Sequence, residues 1–375
     1  MFHLPPGKRP LHRILPPLPE REERADKDLA FMLRYENVAW YDEGEVRVLD
    51  RRVYPARIEF VLCKSVEEVA AAIKDMVTQS TGPYTLAPMG MALAAWKCRN
   101  MGREDQEKYL KEASRIISTS RPTTTKRMAM LTEACIPVAL EALREGKRAD
   151  EAVRDYVVEM NNQRYNRVRE AAKYLVEKFP QNGTVMTQCY AETILGMMLL
   201  ECRERGNNIK LFCPETRPYF QGARFTSTVC SEMGFDTTLI TDNMPAFVMA
   251  KEGVDVFTCA ADAISVDGYV FNKVGTSQIA ICAKHFGVPV YVSGAPDIGH
   301  PTWDTVTIEM RDPNFSLQAM GVRTAKENSG VKGYYPAFDM TPPSLITGIV
   351  TNKGIFKPEE LSHYFDDGKE YELTV

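Results

Sequence analysis

Three groups suited to proton transfer and anion binding follow short apolar runs in the second half of this chain: a thiol, a carboxylate and a lysine. Cys189 comes just after the run at 184–187 and just before a helical stretch at 191–205. A helix N-terminus favours thiolate over thiol, so Cys189 reads as a base or nucleophile. An inert, buried small side chain is the plainer alternative. Asp262 stands past the apolar run 254–259, in Cys259-Ala260-Ala261-Asp262-Ala263-Ile264. Apolar flanks raise a carboxyl pKa, as a general acid requires. A capping or turn aspartate is the alternative. Asn272-Lys273-Val274-Gly275-Thr276-Ser277 leads into a helix over 275–286. Gly275 admits a ligand to the backbone, Thr276 and Ser277 add hydroxyls, and Lys273 adds charge, which together make an anion site at a helix start. A capped helix with a solvated lysine competes with that reading. The G-x-x-x-x-G-K spacing of a Walker A loop is absent.

Other strand ends contribute to the same rim. Glu215, Thr216, Arg217, Gln221 and Arg224 follow 209–213, and Thr241, Asp242 and Asn243 follow 237–240. In the first half, Arg121 lies in Ser120-Arg121-Pro122-Thr123-Thr124-Thr125 and is a candidate phosphate clamp at a helix start. A surface arginine before a proline-initiated helix is the bland reading.

Positioning these groups requires a sheet whose strand ends converge. Beyond residue 183 short apolar runs alternate with helical stretches: 184–187 then 191–205, 209–213 then 222–233, 237–240 then 244–252, 254–259 then 275–286, and 288–293. That alternation predicts an α/β fold with a Rossmann-like, doubly wound parallel sheet. Its ligands bind outside the carboxyl ends of the strands. Upstream, β-prone runs at 38–40, 46–49 and 58–62 precede helices from Ser65 and at 89–101, 104–118, 124–145 and 149–179. The expected organisation is an irregular proline-rich arm over 1–28, a mainly helical domain with a small β element over 29–180, and the Rossmann-like catalytic domain over 181–375.

Composition narrows the function further. The 46 Lys+Arg against 50 Asp+Glu give a net charge of −4, which argues against a dedicated nucleic-acid binder. No window approaches the ~18 consecutive apolar residues of a membrane helix. Six prolines before residue 20 break any secretory h-region. Nine cysteines without a C-x-x-C pair, and five histidines without H-x-x-x-H spacing, predict a reducing, cytoplasmic setting and no metal.

Several blocks occur in a recognisable order: Val185-Met186-Thr187-Gln188-Cys189, then Glu215-Thr216-Arg217-Pro218-Tyr219-Phe220-Gln221-Gly222-Ala223-Arg224, Ala261-Asp262, Asn272-Lys273-Val274-Gly275-Thr276, and Tyr335-Pro336-Ala337-Phe338-Asp339-Met340-Thr341-Pro342. From about residue 36 to 362 the chain resembles the methylthioribose-1-phosphate isomerase family. That family is related to ribose-1,5-bisphosphate isomerases and to regulatory subunits of translation initiation factor 2B. The resemblance implies an aldose–ketose isomerase without metal or organic cofactor, working in methionine salvage as a homodimer. Its substrate would be 5-methylthioribose 1-phosphate or a 5-substituted analogue, converted to the ribulose 1-phosphate. It implies Cys189 and Asp262 as catalytic residues, with Arg121, Gln221, Asn272 and Lys273 contacting the sugar phosphate beside Gly275 and Thr276. Asp262 would protonate the ring oxygen, with Cys189 as thiolate. A ribose-1,5-bisphosphate isomerase and a non-catalytic regulatory subunit are the alternatives. The chain departs from the family where an R-G-A-P loop becomes Thr78-Gln79-Ser80-Thr81-Gly82-Pro83-Tyr84, where Cys-Asn becomes Cys189-Tyr190, and where Gly-Ala-Asp-Arg becomes Ala260-Ala261-Asp262-Ala263. With the loop arginine missing, an uncharged C5 substituent is expected.

Overall fold

The computed structural model describes residues 24–121, 125–319 and 321–368, and the chain divides into two compact units between Asn166 and Arg167. The expected arm therefore lies outside the described residues up to position 23, as do Pro122, Thr123 and Thr124 beside Arg121. The division falls within a long helix, ahead of the Pro180 that follows it.

The N-terminal unit opens with a one-turn helix, α1 (Tyr35–Val38), and three short strands, β1 (Ala39–Asp42), β2 (Glu45–Leu49) and β3 (Phe60–Cys63). They pair antiparallel, with Trp40 opposite Arg47 and Val48 opposite Val61. Helices α2 (Val66–Lys74), α3 (Pro83–Cys98), α4 (Arg103–Ser118), α5 (Thr125–Arg144) and α6 (Ala149–Val176) follow. The Ser65 hydroxyl accepts from the Glu68 N–H and starts α2, as its sequence indicates. Helix α3 is apolar on every side and buried almost throughout, so it forms the centre of this unit.

The C-terminal unit contains β4 (Thr184–Met186), α7 (Thr193–Arg205), β5 (Lys210–Pro214), α8 (Ser227–Glu232), β6 (Asp236–Ile240), α9 (Pro245–Lys251), β7 (Val256–Ala260), β8 (Ala263–Ile264), β9 (Val270–Lys273), α10 (Thr276–Phe286) and β10 (Val290–Ser293). The hairpin β11 (Gln318–Ala319) and β12 (Val322–Arg323), then β13 (Phe338–Thr341), β14 (Gly348–Thr351) and β15 (Gly354–Phe356), complete it. Seven strands form one sheet in the order β15-β14-β10-β7-β4-β5-β6. All its pairs are parallel except β14–β15, whose tight turn forces an antiparallel hairpin. Its core joins Met186, Phe212, Phe257 and Val292 to Ile279 and Ala283 of α10.

From β4 the chain winds outward through β5 and β6 to one edge. From β7 it winds through β10 and β14 toward the other. The order thus reverses between adjacent strands β4 and β7, where an open sheet leaves a crevice for ligand. Cys189 follows the first of these strands and Asp262 the second. A smaller antiparallel sheet, β13-β9-β8, sets Asn272 opposite Asp339 and Lys273 opposite Phe338. Among the described residues no helix is long and apolar enough to cross a membrane.

Candidate active site

The loops after β4 and β5 are held in unusual backbone conformations. Cys189, Glu192, Thr216 and Phe220 all have positive φ, at 58°, 49°, 63° and 58°. Non-glycine residues in this region carry strain, which persists only where surrounding contacts impose it and which concentrates at functional sites. Those contacts are present. The Cys189 N–H donates to Thr216 Oγ1 at 3.1 Å, and the Thr226 hydroxyl donates to the Cys189 carbonyl. The Thr216 and Arg217 N–H groups donate to the two Asp242 oxygens at 2.7 and 2.6 Å. Loops from β4, β5 and β6 are thereby tied into one rim. Gly222 permits this packing, since a Cβ there would stand 1.8 Å from the Pro214 carbonyl oxygen.

The Cys189 thiol differs from its sequence reading. Helix α7 begins only at Thr193, four residues beyond Cys189. A small cavity behind the loop is walled by Ile194, Leu195 and Met198. Burial pushes the thiol up to about 12; Lys273 opposes the rise and Asp262 adds to it. That direction favours the thiol, where the sequence suggested a thiolate. With a folded pKa that high, its alkylation by iodoacetamide should climb about tenfold per pH unit from pH 7 to 10. Mass-spectrometric mapping of the Cys189 peptide checks this, and a midpoint at or below pH 8 would contradict it.

Asp262 also departs from expectation. It is exposed, not enclosed by the apolar residues that flank it in sequence. The strand pattern that buries Val256–Cys259 ends before it, and its N–H donates to the Phe271 carbonyl at 2.9 Å. Asp262 acts electrostatically on both Cys189 and Lys273, so the three groups share one neighbourhood.

Lys273 is only 6% exposed. Its ammonium lies 3.5 Å from the Tyr335 hydroxyl and 5.2 Å from the Phe338 ring centroid. Burial lowers its pKa, while Cys189 and Asp262 pull the other way. Beside it, Asn272 Nδ2 donates to Thr276 Oγ1 at 3.0 Å. Gln221 is buried, with an Oε1 that has no hydrogen-bond partner. A buried unsatisfied amide oxygen calls for a reason, and a ligand hydroxyl supplies one. The N–H groups of Gly275 and Ser277, read from sequence as an anion site, donate instead to Asp339. Among the described residues no group of three His, Cys, Asp or Glu side chains is placed to hold a metal.

A model of the initiation factor 2 subunit family matches residues 86–358. The chain belongs to this family. A 5-deoxyribose 1-phosphate isomerase from Clostridium botulinum is 32% identical over 346 residues, which is 88% of this chain and 98% of the relative. A methylthioribose-1-phosphate isomerase from Thermotoga neapolitana is 32% identical over 338 residues, 87% and 96% of the two chains. Among solved structures, 5-methylthioribose 1-phosphate isomerase from Pyrococcus horikoshii matches with a TM-score of 0.78 at 27% identity, covering 88% of this chain and 95% of that one. Translation initiation factor eIF-2B, subunit delta, from A. fulgidus matches at 0.75 and 30%, covering 86% and 96%.

In this member of the initiation factor 2 subunit family, the C-terminal unit carries Cys189, Asp262, Gln221, Asn272, Lys273, Gly275 and Thr276. Arg121 belongs to the N-terminal unit, at the end of α4. So does the loop at 78–84, and there the structure revises a reading. The loop lacks an arginine of its own but is not without charge, because Arg51 is fully buried against it and donates from Nη1 to the Gln79 carbonyl at 2.7 Å. A second cation escaped the sequence reading in the C-terminal unit. Arg311 is largely buried, acts electrostatically on Lys273, and pairs with Glu309 at 3.0 Å. Arg323 is exposed on the small hairpin. Arg51 and Arg311 lie outside the motifs, and no local signal marks either.

Proposed function

We propose that this chain is an aldose–ketose isomerase that converts a ribose 1-phosphate with an uncharged C5 substituent into the corresponding ribulose 1-phosphate. The observation that carries this reading is the placement of Cys189 and Asp262 just beyond two neighbouring strands, where the sheet order reverses, with Lys273 beside both. The isomerase names of the relatives from Clostridium botulinum and Thermotoga neapolitana support it.

The chemistry requires one proton donor and one acceptor. The anomeric oxygen of a sugar 1-phosphate is esterified, so the ring cannot open by mutarotation. The ring oxygen must gain a proton as its bond to C1 breaks. One hydrogen moves from C2 to C1, and the C2 hydroxyl loses its proton as the carbonyl forms. Cys189 enters protonated, so its thiol supplies the ring oxygen, and the Asp262 carboxylate receives the proton leaving the C2 side. Return of that proton to sulfur closes the cycle. The sequence reading has the opposite sense, with Asp262 as the acid and Cys189 as thiolate; the direction of the Cys189 shift favours the assignment proposed here. Lys273 holds the phosphate, and Gln221 Oε1 accepts from a sugar hydroxyl.

Assay of the purified chain with ribose 1-phosphates bearing methylthio, hydrogen, hydroxyl or phosphate at C5 tests the reading through ketose formation. The substrates in the relatives' names carry no charge at C5, and a site fitted to such a group leaves a C5 phosphate poorly paired, at ~1–3 kcal/mol. The kcat/KM for the 5-deoxy or methylthio substrate should therefore exceed that for the 1,5-bisphosphate by about 10–10²-fold. The opposite preference would defeat the substrate assignment and direct mutagenesis to Arg311, which acts electrostatically on Lys273. The likeness to the A. fulgidus factor raises a second reading, a regulatory subunit that binds a sugar phosphate without turnover. Binding to the same panel with no ketose formed would establish it in place of the first.

A further inference from the structure

We propose that Asp339 is a positioning residue of this site: its carboxylate fastens the turn from β9 into α10 and so holds Asn272 and Lys273 toward the substrate. The inference rests on the isomerase reading above. In β13, Asp339 stands opposite Asn272 of β9. Its Oδ2 accepts from the Gly275 N–H at 2.7 Å and from the Ser277 N–H at 3.1 Å. One oxygen thus clamps a strand end to a helix start, across the two residues expected to meet the sugar phosphate. The turn has little freedom to adjust. Gly275 sits at φ 108°, and a Cβ there would stand 3.0 Å from Gln188 Nε2, in the loop that carries Cys189.

The other oxygen, Oδ1, is buried without a hydrogen-bond partner, a costly state for an ionised carboxylate. Burial accordingly raises the Asp339 carboxyl to about 6, against the pull of the two N–H donors and Lys273. The titratable groups facing it are Lys273 on β9 and Cys259 on β7; α10 presents the Gly275 and Ser277 N–H groups. On its own strand the neighbours Phe338 and Met340 carry no charge. Protonation would weaken both bonds to the turn and remove a negative charge from beside Lys273. The clamp should therefore loosen as pH falls through about 6.

The test uses the full chain with Asp339→Asn, which keeps an oxygen acceptor and removes the charge. At pH 7.5 its kcat/KM should fall about tenfold, with a rise in KM larger than the fall in kcat, because displaced binding groups are the cause. The wild-type kcat/KM should show an acidic limb near pH 6 that D339N lacks. Thermal unfolding adds a readout independent of turnover. A folded pKa above the ordinary carboxyl value means that ionisation costs stability, so the wild type should gain Tm relative to D339N as pH falls from 7.5 through 6 toward 4. If D339N fails to fold, Asp339→Ser makes the same comparison, since serine accepts from helix N–H groups without charge. An acidic limb shared by wild type and variant, together with a Tm difference flat in pH, would overturn the proposal. Absence of isomerisation by the wild type on every ribose 1-phosphate would instead defeat the functional reading, and the Tm comparison would still decide whether the Asp339 carboxyl titrates above its ordinary range in the folded protein.

Discussion

Cys189→Ser and Asp262→Asn should each lower kcat by about 10²–10⁴-fold, the range that general acid–base catalysis supplies. Serine keeps the size of the side chain nearly unchanged but offers a much poorer proton donor. Asparagine keeps the shape of aspartate and removes the acceptor charge. Both residues are also anchored through their backbones. Cys189 is held through its backbone, its N–H on Thr216 and its carbonyl under Thr226. Asp262 is exposed, and its N–H bond to the Phe271 carbonyl is also a backbone contact. Both variants should thus keep the wild-type Tm within a few degrees while losing turnover. Donor and acceptor serve one cycle, so the double variant should be little worse than the poorer single one. Near wild-type turnover in both variants would remove the two residues from the mechanism. A full multiplicative loss in the double variant would mean that they act in separate steps.

What could be read from the residues alone follows the range of the interactions involved. Strands β4, β5, β7 and β10 are short buried apolar runs between helices, a local pattern, and each stands where that pattern places it. Cys189 and Asp262 stand at strand ends, so their meeting at the sheet reversal follows from strand order. Their environments do not, because burial is tertiary. The thiol is desolvated by burial, and the carboxylate emerges where β7 runs out. The β9–β13 pairing is less legible still. Asp339 reaches Gly275 across 64 residues of chain, and β8 contributes only two residues to that sheet. The anion site at 275–277 was legible as a helix start in need of negative charge; the protein supplies that charge itself. Arg51 illustrates the same limit, since its bond to Gln79 joins a strand end to a loop 28 residues away.

Lys273→Met should separate stability from function. The lysine lies between the Tyr335 and Phe338 rings, with its ammonium 5.6 Å from one centroid and 5.2 Å from the other. Cation–π contact offsets part of the cost of burying the charge, and the Tyr335 hydroxyl offers a weak bond. Burial still draws the ammonium pKa down, so the folded protein bears a cost at this position that a phosphate would relieve. Methionine fills the same slot without charge and packs well against aromatic faces. The variant should therefore unfold at the wild-type Tm or above it. A charge-assisted bond to a phosphate oxygen is worth ~1.5–3 kcal/mol, so kcat/KM should fall by about 10–10²-fold. Lys273 also holds the Cys189 thiol below where burial alone would place it. Iodoacetamide should accordingly modify Cys189 more slowly in the variant than in the wild type at the same pH. Unchanged kcat/KM with slower alkylation would leave Lys273 as an electrostatic neighbour of the thiol and move the phosphate to another cation. A drop in Tm would show that the aromatic slot requires the charge for packing.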